Sequence, residues 1–489
     1  MIGNILKWQT MSKAFIFITS MGQVAILARL LELSDFGVVA IVMVVINISQ
    51  ILADLGMANY LVHRQKISDT LNSTVFWFCA SSGILLFAFL CGITPFVSDM
   101  YDNAEIMSLL PLAALTFVPL SLSAQLQARY VCDFKLNQLA KYDMVSRFAG
   151  TVMTVSTAYF GSGAASIFYG SVFTSFVRCA LIWFYADKSW YPKFTFSMED
   201  ARGAWKYGIY QIGSQLINQT ILNLDTLLLG FYIDSNQLGA FNLAKQLTRK
   251  PSEFILPIAR SVSLPLFASS QTDMAKMNSL ARKAHTYVSA VLIFPYAIMC
   301  LLNEELISFV YGAGKMEVAY FMIPLALFWG FRSVGGALVG VLTQGLGKTK
   351  IDFYWNLFGL CIFSLMYAII ARFGAYQLAW ASAILQLVLM NIVFLVFYKR
   401  IIQFKYPWYI LPILTFTVIS IVSIYAAHTL TSMFGSVVMN NNFIYLALVS
   451  LISISIYYIG CYITYNNSAP MPSPMKIFKR KNQIKKKAL

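Results

Sequence analysis

The sequence predicts an all-α polytopic membrane protein with about 14 transmembrane helices. Three observations predict it. Of 489 residues, 58% are hydrophobic and only 11% are charged, less than half the roughly 25% of a soluble domain. The apolar residues gather into about 14 stretches, each near the ~20 residues a helix needs to cross a bilayer. Most of these are apolar all round, as lipid-facing helices should be. An ordinary water-soluble surface is excluded, and so is disorder, because disordered chains are poor in apolar residues.

In chain order the stretches run at 12–31, 36–58, 75–97, 107–127, 142–160, 164–186, 208–231, 238–268, 284–310, 317–343, 351–370, 374–398, 407–430 and 442–464. The first is read as a retained span. No small-residue cleavage site follows Leu31, and the pattern runs straight into the second. The largest polar connection, near 187–206, has about 20 residues, too few for a soluble domain.

Lys and Arg number 36 against 20 Asp and Glu, a net +16. Their placement predicts the orientation. With the N-terminus in the cytoplasm, 26 cations fall in inner loops and the tail, and three (Arg29, Lys315 and Arg372) fall outside. Both termini are therefore expected inside. The C-terminal tail, with seven cations and Phe478 as its one aromatic after Lys476, fits anionic lipid better than nucleic acid.

Two segments repeat at one offset. Phe96-Val97 and Pro111-Leu112-Ala113 recur 213 positions later as Phe309-Val310 and Pro324-Leu325-Ala326. Leu33-Ser34-Asp35-Phe36-Gly37 opens the second span, and Ser235-Asn236-Gln237-Leu238-Gly239 opens the eighth. Spans 1–6 and 7–12 thus read as two copies of a six-helix unit, pointing the same way because six is even. The expected organisation is a first six-helix lobe at 1–186, a cytoplasmic linker at 187–207 and a second lobe at 208–398. Two extra helices follow at 399–464, then a basic cytoplasmic tail at 465–489. Parallel repeats are a transporter architecture, with the substrate site between the halves.

Charges inside the spans carry the chemistry, because each costs about 2.5–3.5 kcal/mol at mid-bilayer unless it faces a cavity or a partner. The eighth span holds Lys245, Arg249, Glu253 and Arg260 within about 80° of one face. Glu253, four residues after Arg249, is placed to pair with it. Lys250 lies off that stripe. Pro251, Pro257 and Pro265 should kink the helix, which is tolerated where it lines a cavity. The seventh span places Gln211, Ser214, Gln215, Asn218 and Asp225 within about 100°. Arg332 lies mid-span in the tenth, Arg147 in the fifth, Arg178 late in the sixth and Asp54 near the inner end of the second.

One reading is a water-filled cavity lined by Arg147, Arg178, Lys245, Arg249, Arg260 and Arg332, with Gln211, Gln215 and Asn218 as polar lining. Such a lining suits a phosphate or diphosphate. The other reading is structural pairing, with Asp225 bonded to Lys245 or Arg249, and Arg147 or Arg178 snorkelling to the interface. For the set, cations outnumber acids by about seven to three, an excess that pairing alone does not balance.

Other motifs carry no chemistry. Gly345-Leu346-Gly347-Lys348-Thr349 resembles the end of a P-loop, but Leu342 stands where the required glycine should be. The seven cysteines form no CxxC pair, and His63, His285 and His428 are far apart in sequence. No cofactor or metal is expected, and no enzymatic activity. Trp8, Trp183, Trp190, Trp205 and Trp408 are expected in interfacial belts.

Ala28-Arg29-Leu30-Leu31 with Asp35-Phe36-Gly37, then Asp54-Leu55-Gly56 and Leu61-Val62-His63-Arg64, resembles the start of the polysaccharide-transporter branch of the multidrug/oligosaccharidyl-lipid/polysaccharide exporter superfamily. Asp225-Thr226-Leu227-Leu228-Leu229-Gly230, Leu238 to Ala244, Pro251 and Ser263-Leu264-Pro265 resemble its second half. The likeness is to Wzx-type O-antigen flippases and colanic-acid exporters. One departure is Met316, after Lys315, where related chains often place Trp.

The resemblance implies a MATE-like fold in a bacterial inner membrane. It also implies flipping of undecaprenyl-diphosphate-linked oligosaccharide repeat units, for O-antigen or exopolysaccharide, to the periplasmic face by alternating access. Polysaccharide polymerase and chain-length machinery would be the partners, and Asp225, Glu253 and Asp54 the candidates for ion coupling. Alternatives are a multidrug or lipid II exporter of the same superfamily. A glycan polymerase or ligase is a further one, but it would need a larger outer loop.

Overall fold

A computed structural model describes residues 2–54, 61, 68–268, 270, 273–346, 349–433 and 442–466. Among the described residues there is no strand. The helices are α1 (Ile2–Leu30), α2 (Leu33–Asp54), α3 (Asp69–Met100), α4 (Ile106–Ala114), α5 (Phe117–Cys132), α6 (Leu136–Tyr159), α7 (Ala165–Tyr185), α8 (Met198–Leu229) and α9 (Ser235–Ala268). They continue with α10 (Met274–Leu301), α11 (Asn303–Val310), α12 (Ala319–Gly335), α13 (Val339–Gly345), α14 (Thr349–Ile370), α15 (Ala375–Val393), α16 (Tyr406–Ser432) and α17 (Asn442–Asn466). Among the described residues, each expected stretch overlaps a helix or a broken pair of helices; residues 55–58 of the second stretch lie outside the described residues. Among the described residues, 11 helical segments are long and apolar enough to cross a membrane, so the chain is an all-α multi-pass membrane protein.

The breaks have local causes. Pro119 has no N–H for the Leu115 carbonyl. Val118 N–H takes that carbonyl instead at 3.3 Å, and Thr116 Oγ1 donates to Ala113 O at 2.7 Å. The stretch at 107–127 is therefore α4 and α5 rather than one helix. The stretch at 317–343 breaks after Gly335, beside Gly336, where two adjacent glycines weaken the helix. The three prolines of α9, expected to kink it, do not end it: one assigned helix runs through all of them. Ser252 and Ser261 hydroxyls donate to the Arg249 and Ile258 carbonyls at 2.8 Å each, taking up backbone acceptors near the interruptions.

Two compact units emerge. The first comprises Met1–Leu247, Val310–Leu325 and Lys348–Leu385. In it α6 packs on both α1 and α7, and α3 packs on α4 and α5. The α6–α7 contact is close because small residues face each other. A Cβ on Gly150 would lie 2.8 Å from Gly170 O, and one on Gly170 would lie 2.7 Å from Gly150 O. Helix α8 begins at Met198, within the stretch read as linker.

The polar segment before α8 is strapped to this unit. Trp190, only 3% exposed, packs edge-on to Tyr130. Asn72 Nδ2 donates to Trp190 O at 2.9 Å, and Lys193 N–H and Ser197 N–H donate to the Ser73 and Thr74 hydroxyls at 2.9 Å each. Trp190 is thus a buried plug and not the belt residue expected. In the same segment Ser189 N–H and Oγ both donate to Asp187 Oδ1, holding that carboxyl below its usual pKa.

The second unit comprises Thr248–Phe309, Ala326–Gly347 and Gln386–Leu489. Its core forms where α10 packs on α16 and α16 on α17. His285 stacks on Tyr409 with ring centroids 4.8 Å apart, and its Nε2–H donates to Tyr409 O at 2.9 Å. Tyr409 Oη in turn donates to Met390 O at 3.0 Å. His285 is therefore a packed core residue. Tyr457 Oη reaches Ala290 O at 2.6 Å, tying α17 to α10.

Candidate functional site

The three long helices that are not apolar enough for the membrane-crossing set are α6, α8 and α9. They hold most of the charges singled out in the sequence. In the first unit α8 and α9 are joined through a buried ion pair. Lys245 Nζ lies 2.5 Å from Asp225 Oδ1, with side chains 10% and 11% exposed. The ammonium also donates to Leu222 O at 2.9 Å and Thr226 Oγ1 at 3.3 Å, so its protons are well placed. Asp225 accepts from Thr226 N–H at 2.7 Å. Lys245 is thus committed to Asp225, the pairing weighed above as the structural alternative.

Arg178 is committed too. Its Nε donates to Asp143 Oδ1 at 2.6 Å and its Nη1 to Gln127 Oε1 at 3.0 Å, clamping α7 to α6 and α5. Sequence reasoning missed Asp143. The signal was its place on α6, one turn before Arg147. Arg147 is half-buried, and its Nε has no hydrogen-bond partner among the described residues. Gln215 and Asn218 are exposed on α8. The side chains of Gln211 and Asp54 lie outside the described residues, as do the basic tail, His63 and residues 347–348 of the P-loop-like stretch.

In the second unit Arg249 Nε pairs with Glu253 Oε1 at 2.7 Å, the i,i+4 pair expected. Lys250 Nζ reaches Glu253 Oε2 at 3.4 Å, which accounts for the cation that lay off the stripe. Two guanidiniums converge on one indole: Arg249 lies 5.6 Å and Arg332 6.0 Å from the Trp329 ring centre. Trp329 is 6% exposed, and its Nε1–H has no acceptor among the described residues. Sequence reasoning singled out both arginines but not the tryptophan, which stands three residues before Arg332. Arg260 is exposed on α9, and no described carboxylate pairs with it. The structure therefore brings Lys245 with Asp225, and Arg249 with Glu253, Trp329 and Arg332. It ties Arg178 elsewhere.

One end of the first unit is closed by contacts between the segments that repeat. The Gly37 turn of α2 lies against Ser235, and Gly239 of α9 lies against Leu33 O. Lys315 Nζ donates to Leu31 O at 2.7 Å. Asp35 accepts from Ala164 N–H at 3.0 Å, and Tyr101 stacks on Phe231 at 4.6 Å.

A multi-pass helical chain whose least apolar helices carry paired and clustered charges, and whose repeated segments meet at one end, has the make-up of a membrane transporter. Comparison with known proteins agrees. The family model described as "Polysaccharide biosynthesis protein" matches residues 26–318, and the chain belongs to that family. It is similar to the amylovoran biosynthesis protein AmsL of Erwinia amylovora, with 31% identity over 313 residues, 64% of this chain and 80% of that one. It is similar also to the lipopolysaccharide biosynthesis protein WzxC of Escherichia coli K12, with 24% identity over 409 residues and 83% of each chain. Among solved structures, the lipid II flippase MurJ in an inward closed conformation matches with a TM-score of 0.76 at 16% identity. That match covers 94% of this chain and 99% of that one and shows a shared fold. The resemblance read from the sequence motifs is borne out.

Proposed function

We propose that this chain translocates undecaprenyl-diphosphate-linked oligosaccharide repeat units from the cytoplasmic to the periplasmic face of a bacterial inner membrane, by alternating access. The observation that carries the reading is the Arg249–Trp329–Arg332 cluster, where two guanidiniums, one from α9 and one from α12, converge on a single buried indole. A diphosphate is the complement of such a cluster, because guanidinium forks match phosphate oxygens. The family and the polysaccharide biosynthesis named for AmsL and WzxC support the substrate class. A multidrug exporter would favour carboxylates in this place.

Two six-helix lobes, 1–186 and 208–398, would rock about the substrate, with helices 399–464 outside the repeat. Both termini lie in the cytoplasm, supported by 26 inner against three outer cations. The closed end at Gly37 and Gly239 is then periplasmic. The tail at 465–489 meets anionic lipid, and a glycan polymerase with its chain-length partner receives the product. The decisive experiment is rescue of surface polysaccharide in a flippase-null strain supplied with matched repeat-unit genes. Failure with every repeat unit tried, at normal membrane level, would overturn the reading.

A further inference from the structure

A second basic site lies in the second unit, away from the Trp329 cluster. Where α10, α16 and α17 meet there is a cavity of about 240 Å³. It is lined by Arg282, Lys283 and Ser279 of α10, Trp408 and Leu411 of α16, and Thr464 of α17. The volume is that of roughly eight waters at ~30 Å³ each, enough for a phosphodiester and a small polar head.

Its lining is split by chemistry. Arg282 and Lys283 are exposed at one rim. The Arg282 guanidinium lies 5.4 Å from the Trp408 ring centre, and Lys405 Nζ lies 5.3 Å from the same ring. Two cations thus flank one indole, Lys283 stands next to Arg282 in the lining, and among the described residues no carboxylate pairs with any of the three. Like charges gathered without an acid favour an anion. Helix α16 starts at Tyr406, so the positive end of its dipole adds to the field. The other side of the cavity is apolar: Leu411, 61% exposed, lies one turn deeper along a helix that spans the membrane.

We infer that this cavity binds the headgroup of an anionic glycerophospholipid, its phosphate between Arg282 and Lys283 and an acyl chain along Leu411. A basic pocket between transmembrane helices at the interface is suited to such lipids, and the short polar-to-apolar step matches one lipid molecule entering from the bilayer. A free anion would use the cations and leave Leu411 without a role. The lipid would brace the α10–α16–α17 packing that holds His285 and Tyr409. The assignment to the cytoplasmic leaflet rests on the orientation proposed above, whereas binding itself does not.

The test is native mass spectrometry and thermal unfolding of the delipidated full chain in detergent. Four probes are compared: dioleoyl-phosphatidylglycerol, dioleoyl-phosphatidylcholine, inorganic phosphate and inorganic diphosphate. Phosphatidylglycerol should give a retained one-lipid adduct and a rise in Tm, and the other three should give neither. The R282Q/K283Q variant should lose the adduct at least tenfold, and K276Q, on the same helix outside the cavity, should keep it. Should the double variant misfold, L411W fills the apolar side while keeping the cations, and it should also lose the lipid. Equal adducts with phosphatidylcholine, or an adduct undiminished in L411W, would overturn the proposal. A Tm rise with inorganic phosphate or diphosphate alone would replace it with a free-anion site. None of these readouts depends on glycan export, so their failure is separate from that of the flippase reading.

Discussion

Gly37 and Gly239 face each other where α2 crosses α9, each the last residue of its copy of the repeated segment. A Cβ on Gly239 would lie 3.0 Å from Gly37 N and press on Leu33 O, and one on Gly37 would press on Ser235 O. The two helix starts approach so closely because neither has a side chain at the crossing. Overpacking costs about 1–3 kcal/mol, or ~5- to 150-fold in the population of this closed state at 1.4 kcal/mol per tenfold. Gly239→Ala should leave membrane level near normal while cutting glycan export. It should also raise labelling of a cysteine placed at Asn236 by an impermeant thiol reagent. Unchanged labelling would mean that the crossing does not gate that end.

The buried Asp225–Lys245 pair should behave as a unit. Removing one partner strands the other, at about 3–5 kcal/mol, so Asp225→Asn or Lys245→Met alone should lower Tm and membrane level sharply. The double variant should recover most of the level. If export recovers with it, the pair is structural. If level returns and export does not, Asp225 carries a coupled ion. Comparing export per molecule across the three variants separates the two.

How much of this was legible in the sequence depends on the reach of each interaction. The spans were legible because bilayer thickness imposes a length and a composition on each segment independently. The Arg249–Glu253 pair was legible because i,i+4 neighbours meet on any helix. The Arg178–Asp143 clamp joins residues 35 positions apart; the place of Asp143 one turn before Arg147 marks it as an intramembrane acid but does not name Arg178 as its partner. The break at Pro119 was readable in principle, since the missing N–H is a property of the residue. The fate of Trp190 was not: an indole in a polar loop reads as a belt residue until the groove formed by Tyr130, Asn72 and Gln125 is known.

Arg332 and Arg178 should respond differently to loss of charge. Arg332 belongs to the cluster around Trp329, and loss of a charge-assisted contact to a phosphate costs about 1.5–3 kcal/mol. Arg332→Ala should therefore cut export per molecule by ~10- to 100-fold at normal membrane level. Arg178 is 19% exposed and its partner Asp143 34%, a pair worth at most ~1 kcal/mol when partly wet. Arg178→Ala should lower membrane level by up to about fivefold and leave export per molecule within about twofold. The reverse pattern would move the substrate contact from the second unit to the first.

The Trp190 plug offers a test away from the charges. Its indole is buried against Tyr130, with Arg129 5.6 Å and Lys135 4.5 Å from its ring centre. Its carbonyl accepts from Asn72. Truncating a buried tryptophan costs about 3–5 kcal/mol, and here the loss falls on the short segment leading into α8. Trp190→Ala should expose Lys188 and Lys193 to trypsin in inside-out vesicles. Phe194→Ala, at a residue 94% exposed in the same segment, should not. Trp190→Phe should fall between, because a smaller ring keeps part of the packing and weakens the cation contacts. If Trp190→Ala is cleaved no faster than Phe194→Ala, the strap is held by its backbone bonds to Ser73 and Thr74. The double variant Ser73→Ala/Thr74→Val should then release it.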